Sequence, residues 1–100
     1  MYKTSLEQDF ELIRLEQSIC NMTNREIVER LIQTLKSLMI TTNQFRNIDE
    51  LTLSQQFEVH RMQQAQLSRQ EAINLLIEAK KQLMIKQSVL RRFKSEVGLT

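Results

Sequence analysis

The sequence predicts an all-α protein, with two tandem helical hairpins packing as a pseudo-two-fold four-helix bundle. Three observations support this fold class: the 100-residue chain has no proline and a single glycine, it is rich in residues that favour helices, and it contains an internal repeat. β-Sandwich and α/β folds of this size need many turn residues, so the composition argues strongly against both. Hydrophobic residues make up 41% of the chain and charged residues 26%, which is enough apolar side chain for a packed core.

The internal repeat divides the chain into two domains, residues 1–48 and residues 49–100. An L-x-Q-x-F-E motif, a helix-capping signal and an L-M-I run follow one another in the same order in both copies. The second copy is two residues shorter near the turn between its helices. Because two residues correspond to about 200° around a helix, the first helix of the second copy must end early or turn another face inward. The aligned segments are 5–19 with 52–66 and 22–48 with 67–93.

Four capping boxes mark the predicted helix starts. In each box a Ser or Thr is followed three residues later by Gln or Glu, so the hydroxyl can accept from an early backbone N–H while the second side chain reaches back. Each copy is therefore predicted to hold a shorter helix and then a longer one, with residues 47–51 joining the copies. The pairs are Ser5 with Gln8, Thr23 with Glu26, Thr52 with Gln55, and Ser68 with Glu71.

The longer helix of each copy carries an apolar stripe that one hairpin cannot cover by itself. The first copy has Val28, Leu31 and Leu35 at helical spacing, and the second has Leu76 and Leu83. Two hairpins can bury both stripes against each other. This is the reason to predict a four-helix bundle built by one chain.

Charge is distributed unevenly along the chain. Residues 1–50 hold six Lys or Arg against eight Asp or Glu, whereas residues 51–100 hold eight against four. No acidic residue lies between Glu78 and Glu96. This basic stretch fits a solvated helix face, or a contact with an acidic protein, an anionic lipid or a nucleic acid. The absence of a stacking platform and of a known binding motif argues against nucleic acid.

The residues that usually carry catalysis or bind metal are scarce. The chain has one histidine, His60, and one cysteine, Cys20, whereas a zinc site needs three or four protein ligands. No glycine-rich phosphate loop is possible with one glycine. We therefore expect no enzyme activity, no metal and no cofactor. The lone cysteine excludes an internal disulfide and suits a reducing compartment, and no apolar run approaches the ~20 residues that span a bilayer.

One edge of the last helix is a candidate partner site. Ile73, Ile77 and Met84 are predicted to lie beside Lys80 and Arg91, just outside the arc that faces the core. Exposed apolar residues next to charge are typical of a protein-binding surface. The alternative is a wide core stripe that packs against two neighbouring helices.

The motifs from Leu51 to Thr100, taken in order, resemble the NblA-like phycobilisome degradation protein family, small helical proteins of cyanobacteria and red-algal plastids. Val97 stands where the family's tail has Trp, and Phe93 where it has Leu. The first copy repeats the first three pieces but lacks the tail, so the resemblance is to a tandem, duplicated member. The four matching pieces are 53–57, 67–71, 83–86 and 93–98.

The resemblance implies a non-enzymatic adaptor. Family members are homodimers that form an open four-helix bundle, and a tandem copy would supply both protomers in one chain. They bind phycobiliprotein subunits and bring phycobilisomes to a Clp-type protease under nutrient stress. A Leu-Lys pair near the C-terminus is implicated in that contact, and it falls on Phe93 and Lys94. With the basic edge, the predicted partner-binding residues are Phe93, Lys94, Arg91, Leu90, Lys80 and Met84.

Two other function classes remain open at the level of sequence. The first is a structural linker that fixes a phycobilisome to a photosystem. A tandem with one intact tail has one good partner site and one degraded one, and this suits a permanent, asymmetric attachment. The second is a general helical chaperone or regulator with no antenna partner. The resemblance places the protein in cyanobacterial cytoplasm or plastid stroma, at the thylakoid surface. We see no signal or transit peptide in the sequence, and two chains could still dimerise.

Overall fold

The computed structural model, which describes residues 5–96, contains four α-helices in an all-α arrangement. No strand occurs within these residues, and the predicted fold class is confirmed. No helix among them is long and apolar enough to cross a membrane. The helices are α1 (Leu6–Ile19), α2 (Asn24–Gln44), α3 (Leu53–Gln64) and α4 (Arg69–Glu96).

All four predicted capping boxes are present, which explains why each helix begins where it does. At α2, the Glu26 backbone N–H donates to Thr23 Oγ1 at 3.1 Å, and the Thr23 N–H donates to Glu26 Oε1 at 3.0 Å. Ser68 and Glu71 make the same reciprocal pair at α4. The pKa of Glu26 and that of Glu71 are both lowered below the ordinary carboxyl value. The larger cause is the hydrogen bond from the backbone of the cap residue, Thr23 or Ser68, and the smaller cause is the hydrogen bond with its side chain.

Helix α2 ends without a glycine. Asn47 adopts a positive φ of 59°, the left-handed conformation in which Asn is one of the few tolerated residues. The Ile48 N–H then donates to the Asn43 carbonyl at 3.1 Å and the Asn47 N–H to the Gln44 carbonyl at 3.1 Å. This is the Schellman pattern, and it satisfies the last carbonyl groups of the helix.

The long helices α2 and α4 lie side by side and run in the same direction. At their starts, Arg69 Nη1 donates to Asn24 Oδ1 at 2.8 Å. At their ends, the rings of Phe45 and Phe93 lie 5.5 Å apart, centroid to centroid. Asn24 and Arg69 are equivalent positions of the repeat, so the helix pair has the pseudo-two-fold relation that the duplication predicts.

Each short helix packs on the long helix of the other copy. Helix α1 runs antiparallel to α4, because Gln8 near its start donates to Ser88 Oγ at 3.0 Å and Ile19 at its end accepts from Arg69 Nη2 at 3.1 Å. Helix α3 packs on α2 in the equivalent way. The molecule measures 43 × 35 × 20 Å, so it is about two helix diameters thick.

Both copies contribute to one hydrophobic core. Ile27, Leu31 and Leu76 are fully buried, and Ala72 nearly so. The cluster contains residues from both halves, so the two copies share one core. The division into residues 1–48 and 49–100 stays a prediction from the repeat. Partly buried residues around the cluster are Leu15, Met22, Val28, Leu35, Met62, Leu67, Ile73 and Ile77.

Candidate partner-binding surface

The ends of α2 and α4 and the beginnings of α1 and α3 meet at one end of the molecule, which we call the tip. The ring contact between Phe45 and Phe93 joins the end of α2 to the end of α4. The side chain of Gln8 reaches the last turns of α4, and that of Gln55 reaches the last turn of α2. The last turns of α4 therefore lie beside the beginning of α1 and the end of α2, and the end of α2 in turn contacts the beginning of α3.

The structure places three of the predicted residues on the surface of the tip. Phe93 is 37% exposed although its ring rests on Phe45. Lys94 is exposed, as is Arg91, whose Nη2 donates to Ser88 Oγ at 3.4 Å. Two exposed cations near a partly exposed aromatic ring form a surface that suits an acidic protein. Lys80 is half-buried and lies about 16 Å down the helix from Arg91.

Two of the predicted residues are buried. Met84 is 3% exposed and Leu90 is 7% exposed. The prediction that Met84 lies outside the core is wrong, because α1 packs along α4 there and Gln8 Nε2 donates to the Met84 carbonyl at 3.3 Å. Leu90 borders α2 near Thr41. Neither side chain is therefore available for direct contact with a partner.

The outer face of each short helix carries large apolar side chains, a feature absent from the sequence predictions. On α1, Leu6 is 70% and Phe10 53% exposed, and on α3 the equivalent Leu53 is 68% and Phe57 60% exposed. Ile13 continues the α1 face at 48% exposure. The L-x-Q-x-F motif is the sequence signal for these exposed apolar faces. Its Gln faces the long helix, and its Leu and Phe share the opposite side of the short helix.

The two apolar faces differ in charge. The α1 face is flanked by acidic residues, Glu7, Asp9 and Glu11, all exposed. On α3, Ser54 and Gln56 stand in place of the first two of these acids, and Glu58 keeps the third. His60 stands where α1 has Ile13. With the basic end of α4, the tip thus combines two exposed apolar faces with both signs of charge. Exposed apolar residues of this size are typical of protein-binding surfaces.

A family model described as "Phycobilisome degradation protein nblA" matches residues 3–48 and, a second time, residues 50–94. The chain belongs to the NblA family. The two matches cover nearly the whole chain and are consistent with a tandem copy of the NblA sequence. Neither the comparison with curated proteins nor the comparison with solved structures gave a match.

The second NblA match includes Phe93 and Lys94, and the role of this pair in partner binding stays a prediction. Val97 and Gly98, the end of the tail that resembles the family, lie outside the described residues. The NblA family is a phycobilisome degradation family. The absence of enzyme activity, metal and cofactor remains a prediction from the sequence.

Proposed function

We propose that this protein is a non-enzymatic adaptor that binds phycobiliprotein subunits and promotes the disassembly or degradation of phycobilisomes. The observation that carries the proposal is the family match over both halves of the chain. The family's description names degradation, and this favours an adaptor over a structural linker between a phycobilisome and a photosystem. A Clp-type protease chaperone is the expected second partner, at the thylakoid surface in cyanobacterial cytoplasm or plastid stroma.

The proposed contact for phycobiliproteins is the exposed part of the tip formed by Phe93, Lys94 and Arg91. These residues combine an apolar ring with two exposed cations, and phycobiliproteins are usually acidic. Opposite charges across an interface accelerate association and orient the partner. Met84 and Leu90 are buried and contribute to packing of α4 rather than to direct contact, and half-buried Lys80 extends the basic edge.

The test is binding of purified phycobiliprotein subunits to the full chain over a range of salt concentrations. We expect Arg91→Glu with Lys94→Glu to weaken binding about tenfold at low salt and to flatten its salt dependence. Lys81→Glu is the matched control, because Lys81 is an exposed lysine of the same helix about 20 Å from Lys94. Equal binding by all three proteins would contradict the proposed contact.

A pull-down from a phycobilisome-containing lysate separates the adaptor from the linker. An adaptor captures phycobiliprotein subunits together with a Clp-type chaperone. A linker captures antenna and photosystem subunits in fixed proportion, without the chaperone. The absence of antenna proteins from every fraction would reject both functions.

A further inference from the structure

The outer face of α1 combines exposed apolar side chains with acidic ones. Leu6, Phe10 and Ile13 are 70%, 53% and 48% exposed, because they point away from α4, on which α1 packs. Glu7 lies on the flank of this stripe and forms no ion pair within residues 5–96. An apolar stripe with an acidic flank suits a partner that is both apolar and cationic. The ionised side chains of α1 are the acids Glu7, Asp9, Glu11 and Glu16 and the base Arg14.

The equivalent face of α3 has the apolar side chains without the acidic excess. Helix α3 has 12 residues against 14 in α1 and ends early, yet Leu53 and Phe57 are exposed like their counterparts on α1. Its charged residues are one acid, Glu58, and one base, Arg61. The two short helices therefore match in their apolar side chains but not in charge, and α1 is the one that selects a cationic partner.

The end of α4 offers the opposite charge on its outer side. Ile85, Val89 and Phe93 follow one another at intervals of four residues, so they lie along one side of the helix. Ile85 lies about 200° around α4 from the buried Leu83. Phe93 is 37% exposed, and Ile85 and Val89 are half-buried. Arg92 is exposed beside them and forms no ion pair within the described part of the chain. This basic and apolar face has the chemistry that the outer face of α1 suits.

The acidic face of α1 and the basic face of α4 lie side by side at the same level of the molecule. Gln8 Nε2 donates to Ser88 Oγ at 3.0 Å and to the Met84 carbonyl at 3.3 Å, so the first turns of α1 lie beside the last turns of α4. A two-fold axis parallel to α4 leaves this level unchanged and brings α1 of each molecule against α4 of the other. In such a contact each residue pair occurs twice. The two faces of one chain are therefore complementary to those of an identical chain.

We propose that the outer face of α1 is a docking site for the end of α4 of a second copy of this protein. Leu6 and Phe10 pack on Val89 and Phe93 of the second copy, and Glu7 lies opposite its Arg92. The contact forms twice in one dimer. It uses outer faces only, and so differs from the shared core that joins the two halves within one chain.

Dimerisation would cover part of the surface proposed for phycobiliproteins, because Phe93 belongs to both. We therefore expect dimer formation and antenna binding to compete, so that the dimer stores the protein in a form that does not bind. This consequence rests on the proposed function, but the dimer itself does not.

The test is sedimentation equilibrium of the full chain. We expect a reversible dimer between about 5 and 500 μM, because contacts between pairs of helix faces are small and such interfaces are transient. Phe10→Asp should weaken dimerisation at least about tenfold, because a carboxylate would replace the central apolar side chain. Phe57→Asp, at the equivalent exposed position of α3, is the matched control and should leave the dimer unchanged.

Charge reversal tests the orientation of the two copies. Glu7→Arg and Arg92→Glu should each weaken self-association about tenfold, because like charges then face each other in both contacts. An equimolar mixture of these two variants should recover a dimer, since each contact again pairs an arginine with a glutamate. Circular dichroism checks that each variant keeps its helices.

A wild-type chain that is monomeric throughout this range would overturn the proposal. Equal losses in Phe10→Asp and Phe57→Asp, or no recovery in the mixture of charge variants, would overturn it as well. The experiment contains no phycobiliprotein, so its failure is distinguishable from failure of the adaptor function.

Discussion

Gln55 and Asn43 exchange two side-chain hydrogen bonds across the tip. Asn43 Nδ2 donates to Gln55 Oε1 at 2.7 Å, and Gln55 Nε2 donates to Asn43 Oδ1 at 3.1 Å. Gln8 and Ser88 occupy the equivalent positions of the other copy and form one such bond at 3.0 Å. Gln8 Nε2 also donates to the Met84 carbonyl. Each Gln thus joins its short helix to the long helix of the opposite copy, and only the α3 pair is reciprocal between two side chains.

Gln55→Ala is expected to destabilise the protein more than Gln8→Ala. Asn43 is 7% exposed, and loss of Gln55 leaves its side-chain oxygen buried without this partner, at a cost of about 1–3 kcal/mol. Ser88 is only half-buried, so water can replace part of the lost bond. Urea denaturation of the two variants measures the difference, and an equal shift of both midpoints would refute this account of the tip.

Neither half of the chain is expected to fold as a monomer. Because α1 packs on α4 and α3 packs on α2, a fragment of residues 1–50 or 51–100 loses both the partner of its short helix and half of the core. Circular dichroism should show low helicity for each fragment and recovery in an equimolar mixture, with a heterodimer seen by analytical ultracentrifugation. A helical, monomeric single fragment would contradict the shared core.

Acid is expected to weaken the starts of the long helices. The folded-state pKa of Glu26 and of Glu71 is lowered by hydrogen bonds with Thr23 and Ser68. Their contribution to stability is therefore complete above the ordinary glutamate pKa and is lost as the pH falls through the lowered folded-state value. The difference in unfolding midpoint between wild type and Glu26→Gln/Glu71→Gln should narrow over that range. A pH-independent difference would show that the carboxylate charge is not responsible.

Phe57→Ser is expected to change stability by less than about 0.5 kcal/mol, because the side chain is 60% exposed. Leu31→Ala, at a fully buried position, should cost about 2–5 kcal/mol and provides the reference for a core residue. Thermal unfolding of both variants measures the contrast. A large loss of stability in Phe57→Ser would mean that α3 packs with its aromatic face toward the core.

Local features predicted much of the fold. The four capping boxes and the order of short and long helices follow from residues close together in the chain. The two-residue shortening of the second copy left open whether α3 ends early or turns another face inward. Local signals did not predict the burial of Met84, because that depends on α1, which lies far away in sequence. Exposure of Phe10 and Phe57 was missed for a similar reason: their motif was visible, but the face that each short helix turns toward the bundle depends on its partner helix.

Capping, periodicity and motif order are properties of contiguous residues, so they were enough to predict the helices and their starts, the repeat and the family. The association of the helices became visible only in the folded chain: each short helix crosses to the other copy's long helix, the apolar faces of the L-x-Q-x-F motifs point outward, and a groove remains beside α3. The physical reason is that an apolar stripe specifies that it must be buried but not which helix buries it. That choice is made by the competition of all four helices for one shared core.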